Sequence, residues 1–338
     1  MGKYICIDIG GTAIKYGLVS ERGEILEAHE RPSQADRGGP QLVANVREIL
    51  DAYLKETGQI YKVTPDRDKM SIPDRGETER ACAGICISTA GMVDPISGCV
   101  FHSGPTIPDY RGTSWKQILG QAYHLPVEVE NDVNCACLAE ALAGSGRGCR
   151  SVLTLTVGTG IGGALYLRNE DCGGIYHGFG NAACEVGYMD LGGPGRFEEM
   201  ASTSALCRRV AEARGESAED WDGLRIFTAA KEGDQICIRE IDRMVDLLGR
   251  GMANLAYILN PECLVLGGGI MKQEDYFYPR LRGALDHYLE PEIAKKTRLA
   301  MAAMGNRAGM LGAYYHFRSM RENRRGEDPG KTRGDWSQ

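Results

Sequence analysis

Carboxylates beside glycine-rich turns are the residues of this chain best suited to chemistry. Asp8 closes the apolar run Tyr4-Ile5-Cys6-Ile7 and is followed by Ile9-Gly10-Gly11-Thr12. Glycines accept φ > 0 and let the main chain approach a ligand closely, so this turn can offer backbone N–H groups to a phosphate. Thr12 adds a hydroxyl donor. Asp8 is placed to hold, through a water, the magnesium ion that accompanies a nucleotide polyphosphate. A Gly-Gly turn between apolar runs is also an ordinary hairpin signal, and this stretch alone leaves both readings open.

A second turn of the same kind follows the apolar residues 152–157, in Gly158-Thr159-Gly160-Ile161-Gly162-Gly163. It fits the dinucleotide pattern G-x-G-x-x-G, and Glu185 lies near the distance expected of a ribose-binding acid. That fingerprint needs a helix to begin inside the glycines. Here Ala164-Leu165-Tyr166-Leu167 is β-like, which rules the dinucleotide reading out. Strand, glycine turn, strand thus occurs twice, which implies a duplicated domain with a nucleotide held between its halves. Gly267-Gly268-Gly269, after the buried run Cys263-Leu264-Val265-Leu266, either faces a purine or lets a helix pack closely on a sheet. Asn131 is a natural N-cap, and Asp132 then stands in a first helical turn, where the helix dipole favours an ionised carboxylate by ~0.3–1 kcal/mol. Acids occur there for purely structural reasons as well.

These residues need elements to position them. Residues 4–7 and 13–19 read as strands, and Gly23 turns the chain into a third strand at 24–29, so an antiparallel sheet begins the fold. Leu42, Val46, Ile49, Leu50, Tyr53 and Leu54 recur at helical spacing within 41–57, an amphipathic helix for one face of that sheet. Residues 58–80, with Pro65 and Pro73 among alternating charges, read as an exposed, mobile loop. A strand at 83–88 runs into Thr89-Ala90-Gly91, either a substrate contact or a plain turn. A helix at 115–122 precedes a short strand at 127–130. Helical patterns follow at 197–213, at 225–258 with a break near Gly233, at 277–290 and at 308–317.

Bulk properties exclude several classes of function. The 338 residues suggest two domains. A formal net charge of −7 argues against a nucleic-acid surface. The arginine-dense residues 318–333 are mixed with glycine, proline and acids, as in a frayed terminus. The longest uncharged run, 151–167, contains four glycines and is too short to span a bilayer. Twelve cysteines scattered singly, with no signal peptide, read as reduced thiols in a cytoplasmic protein. Cys135 and Cys137 lie two apart on a helix and point to different faces, which does not suit a metal pair.

With these motifs in place, the chain resembles the ROK family (repressors, open reading frames and sugar kinases) over residues 3–318. The markers are Asp8-Ile9-Gly10-Gly11-Thr12, Glu130-Asn131-Asp132, the 158–163 turn, Glu185-Val186-Gly187-Tyr188 and Gly267-Gly268-Gly269. The resemblance implies an α/β actin-like ATPase (ribonuclease H-like) fold, two related lobes around a central cleft. The lobes would be 1–122 with 305–320, and 123–304, the second carrying Asp132 and the adenosine site, with a disordered tail at 321–338.

The activity implied is ATP- and magnesium-dependent transfer of a γ-phosphoryl group to the 6-hydroxyl of a hexose-type sugar. Asp132 would be the catalytic base, Asn131 and Glu185 would bind sugar hydroxyls, and Glu198 matches the family's second sugar-binding glutamate. Asp8, Gly10, Gly11 and Thr12 with Gly158, Thr159 and Gly160 would hold phosphates and magnesium; Gly267, Gly268 and Gly269 would meet the adenosine. Closure of the halves would exclude water. Tyr188 stands where most members have the histidine that precedes a zinc segment, and 191–197 is short and lacks cysteine, so structural zinc is not expected. Pro105-Thr106-Ile107 stands in place of a sugar-contacting Asn-Leu pair. Zinc-free members sharing Gly-Tyr-Met resemble β-glucoside and N-acetylmannosamine kinases, and the family commonly forms homodimers through the second domain.

Glu185 and Glu198 each also read as one half of a structural ion pair or as a helix-start acid, and Tyr188 as a packed aromatic. A rival function is a sugar-sensing repressor of the same family, which would need an N-terminal winged helix; the hairpin starting at Tyr4 leaves no room for one. A catalytically silent sugar sensor is the other rival.

Overall fold

A computed structural model describes residues 2–56, 82–169 and 173–326. The loop expected at 58–80 and the tail beyond 326 lie outside the described residues. The chain forms two compact units, Met1–Cys135 with Gly309–Gln338, and Ala136–Ala308.

In the first unit, β1 (Lys3–Ile9) pairs antiparallel with β2 (Ala13–Ser20), which pairs antiparallel with β3 (Ile25–Pro32). The helix α1 (Gly39–Glu56) buries Leu42, Val46, Ile49, Leu50 and Leu54, the stripe its spacing demands. β4 (Gly84–Thr89) runs parallel to β1 and is buried along its whole length, as a strand in the middle of a covered sheet must be. A small ribbon of β5 (Met92–Asp94) and β6 (Cys99–His102) leads to α2 (Trp115–Tyr123). β7 (Val127–Asn131) then pairs parallel with β4, completing the order β3-β2-β1-β4-β7. The period of two along β1 sends Ile5, Ile7 and Ile9 into the core that contains α1.

The next helix, α3 (Asp132–Leu142), carries the chain into the second unit. There β8 (Ser151–Val157), β9 (Ile161–Arg168) and β10 (Gly173–Ile175) form the antiparallel part of the sheet. Helices α4 (Phe197–Ala201), α5 (Thr203–Arg214), α6 (Gly223–Lys231) and α7 (Gln235–Leu259) follow. β11 (Cys263–Gly267), α8 (Glu274–Tyr288), α9 (Pro291–Ala294) and β12 (Arg298–Met301) complete the order β10-β9-β8-β11-β12. This is the order of the first sheet again. β1 and β8 have seven residues each, and each is joined to its hairpin partner across three residues, 10–12 or 158–160. Asp8 and Thr156 therefore hold equivalent places.

Finally α10 (Ala308–Gly326) returns to the first unit and covers the other face of β1, where Tyr4 meets Tyr314 and Phe317 with ring centroids 5.1 and 5.3 Å apart. Gly312 lies so close to α3 that a Cβ there would collide with the Cys135 carbonyl. Among the described residues no helix is long and apolar enough to cross a membrane.

Three expected boundaries move. The units divide at Cys135/Ala136 and Ala308/Gly309 instead of 122/123 and 304/305, because β7 is laddered to β4, so Asp132 belongs to the first unit. The helix expected at 197–213 is two helices parted at Ser202, whose hydroxyl caps α5 by accepting the Ala205 N–H at 3.2 Å. α10 continues through 321–326, a stretch expected to be disordered.

Candidate active site

In the first unit the hairpin turn is tight, with Gly10 N–H donating to the Ala13 carbonyl at 3.0 Å. Ser33 engages the carbonyls of Gly11 and Thr12, through its hydroxyl at 2.9 Å and its N–H at 3.0 Å, while both turn residues remain exposed. Asp8 is half-buried beside this turn. Its Oδ1 accepts a hydrogen bond from the Ser88 hydroxyl at 2.6 Å, and Gly309, in the first turn of α10, lies where any Cβ would strike the carboxyl group. Burial pushes the Asp8 carboxyl above the usual aspartate range, opposed by the Ser88 hydrogen bond and the Lys15 charge.

Asn131 is the cap that the sequence indicated. Its Oδ1 accepts the N–H groups of Val133 and Asn134 at 2.9 and 3.0 Å. Its amide donates to Asp132 Oδ1 at 3.0 Å and to the Gly91 carbonyl at 2.9 Å, which joins the 89–91 turn to the Asn-Asp step. Asp8 and Asp132 are also brought together: both raise the Cys135 thiol, whose burial is the largest cause of its upward shift.

In the second unit, Gly158 N–H donates to the Gly160 carbonyl at 2.9 Å, and Thr203 N–H, at the start of α5, donates to the Gly158 carbonyl at 2.9 Å. Glu198 Oε2 accepts the Ile161 N–H at 3.3 Å, and a Cβ on Gly160 or on Gly187 would press against that oxygen. Tyr188 is 45% exposed, and the Arg196 guanidinium lies 4.9 Å above its ring. Burial, then the charges of Glu185 and Glu198, raise the Tyr188 hydroxyl, so these three predicted residues form one cluster beside the second glycine turn. Glu198 also stands in the first turn of α4, so the helix-start reading of this residue holds alongside its contact with the glycine turn.

The three glycines after β11 separate into different roles. Gly268 has φ +117°, and a Cβ there would collide with the Val157 carbonyl, so it serves close packing. Gly267 has ordinary space around it, whereas Gly269 faces a cavity of about 740 Å³ shared with Gly158, Thr159, Cys207, Trp221 and Gln273. That is the size of pocket that takes a nucleoside-sized ligand. Ser88, Gly309, Cys207 and Trp221 carry no motif, and their part in these sites comes from the packing of distant segments.

Two sheets of one strand order, each opened by a glycine hairpin, define an actin-like ATPase fold. Residues 72–319 match the ROK family, and the chain belongs to it. It is 41% identical over 318 residues to an uncharacterised protein of Clostridium perfringens, covering 94% of this chain and 98% of that one. A beta-glucoside kinase of Listeria monocytogenes is 32% identical over 323 residues, covering 93% and 97%. Of the solved structures, a Listeria monocytogenes protein proposed to be an N-acetylmannosamine kinase is 29% identical with a TM-score of 0.77, covering 94% of this chain and 99% of that one. A ROK family glucokinase from Streptomyces griseus, in complex with glucose and AMPPNP, is 26% identical with a TM-score of 0.74, covering 94% and 100%.

Asp8→Asn removes a charge that burial penalises. The folded carboxyl holds its proton to higher pH than an unfolded one, so ionising it subtracts from stability as pH rises past the ordinary aspartate range. Calorimetry should show the ligand-free variant melting above wild type at about pH 7, with the gap narrowing toward about pH 4. A variant that melts at or below wild type near neutrality contradicts the burial argument.

Proposed function

We propose that this chain is an ATP-dependent kinase that transfers the γ-phosphoryl group to the 6-hydroxyl of a hexose-type sugar: glucose, a β-glucoside or N-acetylmannosamine. The observation that carries the reading is the Asn131-Asp132 step, where a capping amide steadies a carboxylate at a helix start in the same unit as Asp8. Phosphoryl transfer asks mainly for alignment and charge neutralisation, because its transition state is loose and the acceptor proton moves late. In this reading Asp132 accepts the proton of the 6-hydroxyl. Asn131, Glu185, Tyr188 and Glu198 bind the sugar hydroxyls, the two glycine turns hold the phosphates, and the cavity bordered by Gly269 takes the adenosine.

Magnesium fits at Asp8, probed through its donor chemistry: a carboxylate oxygen is the ligand type this ion takes, often through water. When bound, the ion supplies charge neutralisation on the phosphates, and it would offset the cost of burying the Asp8 charge. Free thiols at all eleven described cysteines support a cytoplasmic setting. A homodimer is supported by an apolar groove of about 450 Å³ on the second unit, with Tyr176, Phe179 and Ile258 exposed around it. A projecting ring and a groove on one face can be exchanged between two copies about a twofold axis.

Asp132→Asn should lower sugar-dependent ADP release by ~10²–10⁴-fold, measured on whichever of glucose, cellobiose or N-acetylmannosamine the wild type uses best. A loss below about tenfold removes the proposed base. ATP should protect Cys207 from iodoacetamide by about tenfold at a concentration ten times its Kd, read by mass spectrometry, with Cys99 on the first unit unaffected. No protection would move the nucleotide out of this cavity. In sedimentation velocity the wild type should run as a dimer and Phe179→Glu as a monomer; a monomeric wild type ends the dimer proposal.

A further inference from the structure

Strand β7 reads Val-Glu-Val-Glu-Asn, the alternation of a strand with one wet face, yet Glu128 is 1% exposed and Glu130 is 0% exposed. Withdrawing a carboxylate from water costs several kcal/mol unless donors replace the lost hydration. Glu128 has Lys116 at 2.6 Å. The partners of Glu130 are of another kind. Its Oε1 accepts the main-chain N–H of Asn131 at 2.8 Å and the side-chain amide of Asn134 at 2.9 Å, so one oxygen grips the chain on both sides of Asp132. Its Oε2 lies 3.4 Å from Nδ1 of His316, a residue of α10 that is 4% exposed.

We infer that Glu130 is a positioning residue for the reaction proposed above, held in its turn by His316, and that this pair fixes the Asn131-Asp132 step against α10. The inference rests on the kinase reading for its catalytic consequence. The geometry explains how the effect is transmitted. Asn131 both caps α3 and donates to Asp132 Oδ1, so any rotation of the peptide that Glu130 holds displaces the carboxylate of Asp132. The anchor is common to Asp8 and Asp132, because the first turn of α10 closes on Asp8 through Gly309 while His316, two turns further on, braces Glu130. One helix thus sets Asp8 and Asp132 in register with each other. A displacement of about 1 Å in such an alignment costs on the order of 10²-fold in rate.

The test separates positioning from mere stability. Glu130→Ala should lower kcat by about 10²-fold per folded molecule with KM for sugar and ATP changed by less than about threefold. Glu130→Gln, which keeps an acceptor for the Asn131 N–H, should recover most of that loss. His316→Ala should lower kcat in the same direction, and His316→Asn, whose amide can stand where Nδ1 stood, should restore it. Wild-type kcat in Glu130→Ala and His316→Ala, or equal losses in Glu130→Ala and Glu130→Gln, overturns the inference. Should Glu130→Ala fail to fold, the two His316 variants carry the same readouts. Should the wild type phosphorylate no sugar, the kinase reading fails by itself, and hydrogen exchange decides the positioning: the Val133 and Asn134 amides should exchange about tenfold faster in His316→Ala while Ile85 and Ile87 in β4 stay protected. Unchanged exchange at 133 and 134 overturns it.

Discussion

A carboxylate withdrawn from water must find donors at once, and three acids of this protein do so in seats that glycines leave open. Asp8 sits where Gly309 leaves room, Glu198 where Gly160 and Gly187 do, and Glu140 where Gly144 does. Glu140 is 1% exposed and accepts the N–H groups of Ser145 and Met304 at 2.8 and 2.7 Å. Each seat would be filled by a single added methyl group. At Glu198 and Glu140 the arrangement trades side-chain bulk for close approach of main-chain N–H groups, which cost no reorganisation when charge changes nearby.

The duplicated sheets show what was kept and what was changed. Both hairpins turn through three residues after a strand of seven. Asp8 in the first is matched by Thr156 in the second, so the acid occurs once. Under the proposed function that asymmetry has a physical reason. A carboxylate beside the second turn would repel the phosphates that this turn is proposed to hold. The hydroxyl keeps the place polar without adding charge.

Much of this was legible in the sequence, and the limits follow from what is local. Glycine hairpins, the N-cap at Asn131 and the strand after Gly163 depend on neighbouring residues, and each reads correctly. The duplication does too, because one strand-turn-strand pattern occurs twice. The partnership of Ser88 with Asp8 spans eighty positions and leaves no periodic trace. The place of β7 is decided by its ladder to β4, which is why Asp132 moved to the first unit. Gly268 and Gly269 are identical in sequence terms; a backbone angle of +117° at one and open space at the other divide packing from cavity. In β7 the short strand was legible, but the burial of its glutamates was not, because it depends on the distant Lys116 and His316.

The first unit is assembled from both ends of the chain, whereas the second is one continuous stretch, Ala136–Ala308. On the ribosome this reverses the usual order of maturation, in which the N-terminal part is finished first. The continuous unit has all its strands as soon as β12 emerges. Its older neighbour must wait with one face of β1 uncovered until α10 is made. Nascent chains therefore carry the face of β1 that presents Tyr4, Cys6 and Asp8 without its covering helix for most of their synthesis, and the acids on that side gain Gly309 and His316 last.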